Sequence, residues 1–486
     1  MTNPVDDSSS FVENNLIESN TVESNQAPPH EMLTAPVFKL FIKMAIPIII
    51  GLLVNGLYNF VDAIFIARAV GTQAIGGVSA AFPVHMILIS ISAMMAGGMA
   101  SVLSRQLGAN HHHEANAVFS SALFLAFSMG MICSLLIYVF KAEIFQMMQL
   151  PPVLQAYAVE YIVPIALFCS LSFCSGVVSD AFRAEGKVVE MMKVMALSSI
   201  LNIIFDALFL FVFEWGVAGA AWATVLAIAI SFAYSIKILM MGEHSIQFEF
   251  SQFKWHWQYN KQAVALGVPI FLSYTGYAVM LAAVNFAIVK VAGDEADLLI
   301  SGHGIFNRAF MLIFLPVLGM MIAFQTFVGF NYGAKQYQRV NQVLKIAILT
   351  SGGYALLWSM LMIFKSHWLF QLFTADQALI AAADSISSVV FIGFVTVGIG
   401  MMCPALFQAL GFAKPAAFLN AFRTYVLLLP VLWIFSQTFG VSGLWWTFPA
   451  IDLIASILVG GYTYLFMRKL LTKPHLLKLN TERAKS

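Results

Sequence analysis

Apolar residues fill long unbroken stretches of this chain, and polar or charged residues gather in short clusters between them. Twelve of these stretches reach the ~20 residues that a bilayer core requires of a helix. They fall at roughly 37–67, 77–106, 117–140, 154–181, 189–213, 217–240, 263–291, 299–331, 342–364, 379–409, 416–436 and 441–467. None alternates with the period of two that a strand needs, so helices are the only spanning elements expected.

The stretches come as two sets of six. Pro47 aligns with Pro269 and Gly71 with Gly293, both 222 residues apart. Gly108 and Gly186 match Gly333 and Gly411 at a spacing of 225, and Gly216-Val217-Ala218-Gly219 matches Gly440-Val441-Ser442-Gly443 at 224. Six spans is an even number, so both halves enter the membrane from the same side. That makes them parallel repeats about an axis along the membrane normal, with a cleft between two bundles. The predicted fold is an all-α polytopic membrane protein of twelve transmembrane helices in two parallel six-helix repeats around a central cleft. The halves are expected at 37–240 and 263–468, joined by a linker at 241–262 and flanked by tails at 1–36 and 469–486.

Basic residues orient the chain. With the N-terminus inside, twenty Lys and Arg, Arg423 among them, fall on the inner side and only Arg68, Lys141, Lys290 and Lys365 on the outer. This asymmetry predicts both termini in the cytoplasm and, for a bacterial chain, the inner membrane as its location. The first 33 residues hold six acidic residues and no Lys or Arg, which excludes a secretory signal and predicts a disordered cytoplasmic tail. In the linker, Lys254-Trp255-His256-Trp257 reads as an interfacial anchor.

Composition agrees with lipid as the solvent: 10% of residues are charged, against about 25% in soluble domains. Cys133, Cys169, Cys174 and Cys403 all lie in apolar runs and read as small buried hydrophobes. Intramembrane enzyme chemistry is disfavoured, because metalloprotease, nucleophile-elbow and nucleotide-loop motifs are missing. The chain is therefore not expected to be an enzyme, and neither an organic cofactor nor a nucleic-acid partner is expected.

The informative residues are polar ones inside the apolar runs. An ionisable side chain at mid-membrane costs about 2.5–3.5 kcal/mol to insert and marks function by default. Asp62 lies nine residues before Gly71, and Asp206 ten before Gly216. Both spans run outward, which puts the carboxylates at a common depth of about 13–15 Å below the outer ends. Asn55, Asn59 and Asp62 form a stripe at i, i+4, i+7, while Asn202 and Asp206 share a face of the fifth span. Thr224 on the sixth span and Tyr161 on the fourth return to the same level.

Two close carboxylates in low dielectric cannot both ionise cheaply, so such a group holds a small hard cation or shares a proton. The alternative is an inert polar packing network. The repeat supplies a control. Asn55, Asn59 and Asp62 correspond to Tyr277, Leu281 and Val284 in the second half, Asn202 and Asp206 fall opposite Leu427 and Val431 (or each residue one earlier), and Thr224 opposite Phe448. A cluster needed only to build a bundle belongs in both halves, so a cation site is assigned to the first.

Pro47 removes a backbone hydrogen bond about four turns below Asp62, which permits either a moving hinge or a static kink. Arg308, near His303 and Asn307, needs a partner at depth, for which Asp384 and Asp452 are the candidates; a structural ion pair is favoured over a substrate contact. Asp180 and Glu160 lie near helix ends, and His111 to His113 read as a solvated turn.

Taken together, Asn202-Ile-Ile-Phe-Asp206, Leu57-Tyr58-Asn59-Phe60-Val61-Asp62, Arg183-Ala184-Glu185-Gly186 and Gly329-Phe330-Asn331-Tyr332-Gly333-Ala334-Lys335 resemble the multidrug and toxic compound extrusion family over residues 37–468. The pattern is closer to the subfamily related to the DNA-damage-inducible protein F than to the branch with second-half acidic residues. The resemblance implies a secondary active exporter of amphipathic, cationic compounds, driven by proton or sodium antiport. It implies coupling at Asp62, surrounded by Asn202, Asp206, Thr224 and Tyr161, with sodium, if used, at Asp62, Asn202, Asp206 and Thr224. Asn55 and Asp180 match positions near the drug site, with Asn59 beside Asn55; Asp180 stands where an amide is more usual. A monomer in contact with membrane lipid is expected. The alternative on the same fold is a flippase of a lipid or lipid-linked oligosaccharide, which favours a basic cavity, and only Arg308 offers charge of that sign.

Overall fold

The computed structural model describes residues 31–472 except 149, 243 and 248–252. Ten helices are long and apolar enough to cross a membrane, and two further features bring the crossings to twelve. Pro152–Leu167 and Cys169–Ala184 form one span bent by 55° at Phe168, which leaves helical geometry at φ −105°, ψ 18°. Ala413–Thr472 holds two spans divided at Gly440 (φ 60°, ψ −141°). A side chain on Gly443 would meet the carbonyl of Phe435, so the chain reverses there.

In order, the spans are α1 (Val37–Ala69), α2 (Thr72–Gly108), α3 (His112–Met147), α4 (the bent pair), α5 (Val188–Val212), α6 (Gly216–Met241), α7 (Trp257–Val291), α8 (Ala296–Gly333), α9 (Tyr337–Phe370), α10 (Gln377–Phe394 with Val397–Leu410), α11 (413–439) and α12 (441–472). The repeat glycines now have a cause. Gly216 and Gly440 make the same left-handed turn, at φ 61° and 60°, a region that penalises any Cβ.

The two bundles meet along α1, α2, α7 and α8. Their closest approach is at the end that carries the chain termini. A Cβ on Gly108 would fall 2.0 Å from the Phe330 carbonyl oxygen, and one on Gly333 2.1 Å from that of Arg105. Each target lies three residues before the other glycine, so α2 and α8 cross reciprocally on the pseudo-two-fold axis. Gly98 on Ala263 and Gly267 on Met94 repeat the arrangement between α2 and α7, at 2.0 and 1.9 Å. Hydrogen bonds seal this end. Arg105 Nη1 donates to the Ala409 carbonyl at 2.9 Å, Ser101 Oγ to that of Gln408 at 2.7 Å, and Arg183 Nη1 to Thr326 Oγ1 at 3.0 Å. Toward the opposite end α8 turns from fully buried to half exposed. The cleft is thus closed at the terminal end and open at the other.

Several boundaries differ from expectation. Residues 31–34 are helical rather than part of a disordered tail, with Met32 buried. Asn331 Nδ2 and Arg339 Nε both donate to the Met32 carbonyl, and Lys43 pairs with Glu31. These contacts override a composition that reads as disordered. The rest of that tail, the tail after 472 and part of the linker lie outside the described residues. The helix of α7 begins at Trp257, six residues before the span's expected start at 263. What precedes it is latched to the first bundle: Glu185 Oε1 accepts from the Ile246 N–H at 2.9 Å, and its Oε2 lies 2.7 Å from His244 Nδ1.

Candidate cation site and cleft

The first bundle concentrates polar atoms where its own apolar helices leave them few partners. Asp206 is fully buried near the end of the α-helical part of α5, immediately before a π-turn at Leu208–Val212. Such turns are rare and re-aim side chains, often at functional sites. Asn202, one turn earlier on the same face, is also buried; its Nδ2 donates to Thr224 Oγ1 on α6 at 3.1 Å. Thr224 in turn donates to the Ala220 carbonyl, which points its remaining lone pairs towards α5. Asp62 enters from α1, and Tyr161 from α4 with 7% exposure.

Four oxygens in this group are buried and accept no hydrogen bond within the protein: Asp62 Oδ1, Asn202 Oδ1 and both carboxylate oxygens of Asp206. Neither carboxylate forms a salt bridge among the described residues. A buried, unpaired carboxylate is too costly to persist ionised without a counter-charge. The cluster therefore demands a proton or a cation, and its all-oxygen donor set suits a hard one.

Asp62, Asn202, Asp206, Thr224 and Tyr161 are thus brought together as expected from the sequence. Two of the predicted substrate residues, Asn59 and Asp180, lie apart from this cluster. Asn59 is exposed and its amide donates back to the Asn55 carbonyl at 2.8 Å, so the stripe divides between cleft and bundle interior. Asp180 lies near the closed end, held by Arg183 Nη2 at 2.9 Å and packed near Gly97 of α2. It belongs to the seal between the bundles and not to the carboxylate cluster. Pro47 sits in a continuous α1 helix.

Two members escaped sequence reasoning. Tyr58, one turn before Asp62 on the same helix face, lies within electrostatic reach of Asp62, Tyr161 and Asp206. His85 on α2 meets Tyr161 edge to face, with ring centroids 6.4 Å apart. Its signal was available: a histidine in the apolar run Phe82-Pro83-Val84-His85-Met86-Ile87 is an ionisable group at membrane depth.

The second bundle is built differently. Tyr277 donates to Asn307 Oδ1 at 3.0 Å, and Val284 is fully buried. Arg423 lies inside α11 and holds Asp452 of α12, its Nε 2.9 Å from Oδ1. Arg423 therefore leaves the inner-loop count that oriented the chain. Asp384 is taken by Ser366 and His367. Both carboxylates proposed for Arg308 are thus engaged elsewhere, and Arg308 is exposed without an ion pair among the described residues. The expected structural ion pair does not form. Among the described residues no group of three metal-ligating side chains occurs, and His111 to His113 are exposed.

Paired six-helix bundles, a cleft closed at one end and a buried carboxylate cluster confined to one half define a multi-pass membrane transporter. The chain belongs to the MatE family, whose family model matches residues 47–208 and 269–434, one block in each repeat. Members of this family are transporters of small molecules rather than enzymes. Among curated proteins it is similar to the multidrug export protein MepA of Staphylococcus aureus (strain bovine RF122 / ET3-1), 24% identical over 437 residues, covering 90% of this chain and 95% of that one. Among solved structures it is similar to a multidrug resistance MATE family transporter of the MOP superfamily in an outward-facing conformation (TM-score 0.86, 23% identity, 92% of this chain and 99% of that one). It is also similar to MATE in the straight conformation (TM-score 0.86, 24% identity, 92% and 100%). Both structural likenesses carry the fold.

Proposed function

We propose that this transporter exports amphipathic small molecules, cationic ones foremost, in exchange for protons or sodium ions, as a monomer in a bacterial inner membrane with both termini cytoplasmic. One observation carries the coupling: four buried oxygens of Asp62, Asn202 and Asp206 lack any hydrogen-bond donor, and among the described residues the second bundle has no carboxylate oxygen in that state. Binding a proton or a sodium ion there neutralises a charge that the bundle otherwise keeps in low dielectric. The preferred packing of α1 on α5 then depends on occupancy, and α1 also packs on α8 of the other bundle. That links the ion site to the opening and closing of the cleft. Thr224 supplies a further oxygen for sodium, and Pro47 is the place where α1 would bend. The 19 basic residues left on the terminal side after Arg423 is removed support the orientation. The name of the relative MepA supports drugs as cargo.

The test is dye efflux in everted vesicles energised by a pH gradient, with and without sodium, for wild type and Asp62→Asn. Transport on the pH gradient alone, lost in the variant, is the result expected for proton antiport. Sodium dependence would move the same site to sodium coupling, and normal export by the variant would refute the assignment. A second reading, movement of an anionic lipid, draws on the unpaired Arg308. It predicts no dye transport under either gradient.

A further inference from the structure

Arg308 sits on the wall of the cleft. On α8 the exposed residues Ser301, Gly304, Arg308 and Met311 follow one another at spacings of three and four, which places them on a single face. That face continues to Leu315, whose Cδ1 lies 2.8 Å from where Gly56 of α1 would carry a Cβ, and to Gly319, packed on Ile49 of α1. The stripe therefore points at the first bundle and not at lipid. On α1 the matching face runs from Gly56 through Asn59 to Ala63, both of the latter exposed. Below the Gly56–Leu315 contact the two helices are packed together; above it they stand apart, and both faces open into the cleft.

Depth follows from the same contact. Arg308 is seven residues above Leu315 on α8 and Asp62 six above Gly56 on α1, or about 10 Å and 9 Å at 1.5 Å per residue. The guanidinium thus stands across the cleft at the level of the carboxylate cluster. Asp452 is held by Arg423 and Asp384 by His367, and Arg308 has no ion pair among the described residues. A planar fork of five N–H donors, exposed and without a carboxylate at ion-pair distance among the described residues, matches a ligand carboxylate in charge and geometry.

We propose that Arg308 is an anion subsite of the substrate cleft, which admits zwitterionic amphiphiles, their carboxylate bound at Arg308, beside the cationic cargo of the export reading. This deepens the export reading and rests on it. A purely cationic drug leaves Arg308 without a ligand partner, whereas a molecule with an amine and a carboxylate satisfies both walls of the cleft.

The test compares rhodamine 110, which carries a free carboxylate, with rhodamine 123, its methyl ester. Both are followed in proteoliposomes containing the full chain, as wild type, Arg308→Gln and Arg308→Lys. The expected result is a loss of about tenfold or more in rhodamine 110 transport by Arg308→Gln, as for a lost charge-assisted bidentate contact. Arg308→Lys should recover part of it, and rhodamine 123 transport should be unchanged or faster. Unchanged transport of both dyes by Arg308→Gln would overturn the subsite, and so would equal loss of both. If the wild type moves neither dye, the export reading itself fails and takes the subsite with it. Arg308-dependent flipping of fluorescent phosphatidylglycerol in the same liposomes would then assign the arginine to a lipid phosphate.

Discussion

Gly333→Ala should lock the cleft open at its terminal end. The added methyl would sit 2.1 Å from the Arg105 carbonyl oxygen and 3.0 Å from the Ala109 nitrogen, both backbone atoms of α2 that no rotamer change can move. Relief to an ordinary contact of about 3.4 Å requires α2 and α8 to part by about 1.3 Å at their crossing, which also strips contacts from the packed surfaces around it. Overpacking of this kind costs about 1–3 kcal/mol. The cost falls only on the state in which these helices touch, so the equilibrium should move about 5–150-fold towards the state that separates them. Gly304→Ala is the control on the same helix, since nothing lies within 4 Å of its added methyl. Gly304 lies in the helix interior and Gly333 ends the helix, so any gain in helix propensity is larger in the control and cannot account for an opening seen only in Gly333→Ala. Spin labels at exposed His113 and Gln338, one on each bundle at the terminal end, report the opening by pulsed dipolar spectroscopy. The four native cysteines are buried and compete little for label. A distance distribution in Gly333→Ala that matches both wild type and Gly304→Ala would refute the reasoning.

Other perturbations separate coupling from stability. Asp206→Asn removes a buried charge that has no partner, so thermal stability in detergent should hold or rise while gradient-driven efflux falls at least 100-fold; a clear loss of stability with efflux intact would contradict the site. Arg183→Gln leaves Asp180 without its partner and removes the bond to Thr326, which should cost about 1–3 kcal/mol in thermal unfolding. Thr326→Val, which removes only one bond, should cost about 1 kcal/mol on the same assay. Glu185→Ala frees both His244 and the Ile246 amide, so trypsin should cut at exposed Lys254 several-fold faster in native protein, with no change expected in Asp206→Asn.

Twelve crossings, two repeats and the confinement of the carboxylates to one half follow from the sequence alone. Each rests on a periodic or compositional rule with no competing structure in lipid: apolar length sets the spans, and the glycine matches between 71 and 443 set the repeat. Asp62, Asn202, Asp206, Thr224 and Tyr161 could be grouped because residue count from a helix end converts directly into depth. Count does not say which way a side chain turns at that depth. Asn59 and Asp62 share one stripe on paper, yet the crossing of α1 with α8 sends one to the cleft while packing on α5 buries the other. Nor could spacing choose partners for Asp180, Arg308, Asp384 and Asp452, since ion pairs between helices depend on packing azimuth and distance. Only the tertiary structure decided that Arg423 takes Asp452, that Arg183 holds Asp180 at the seal, and that Arg308 is left to face the cleft.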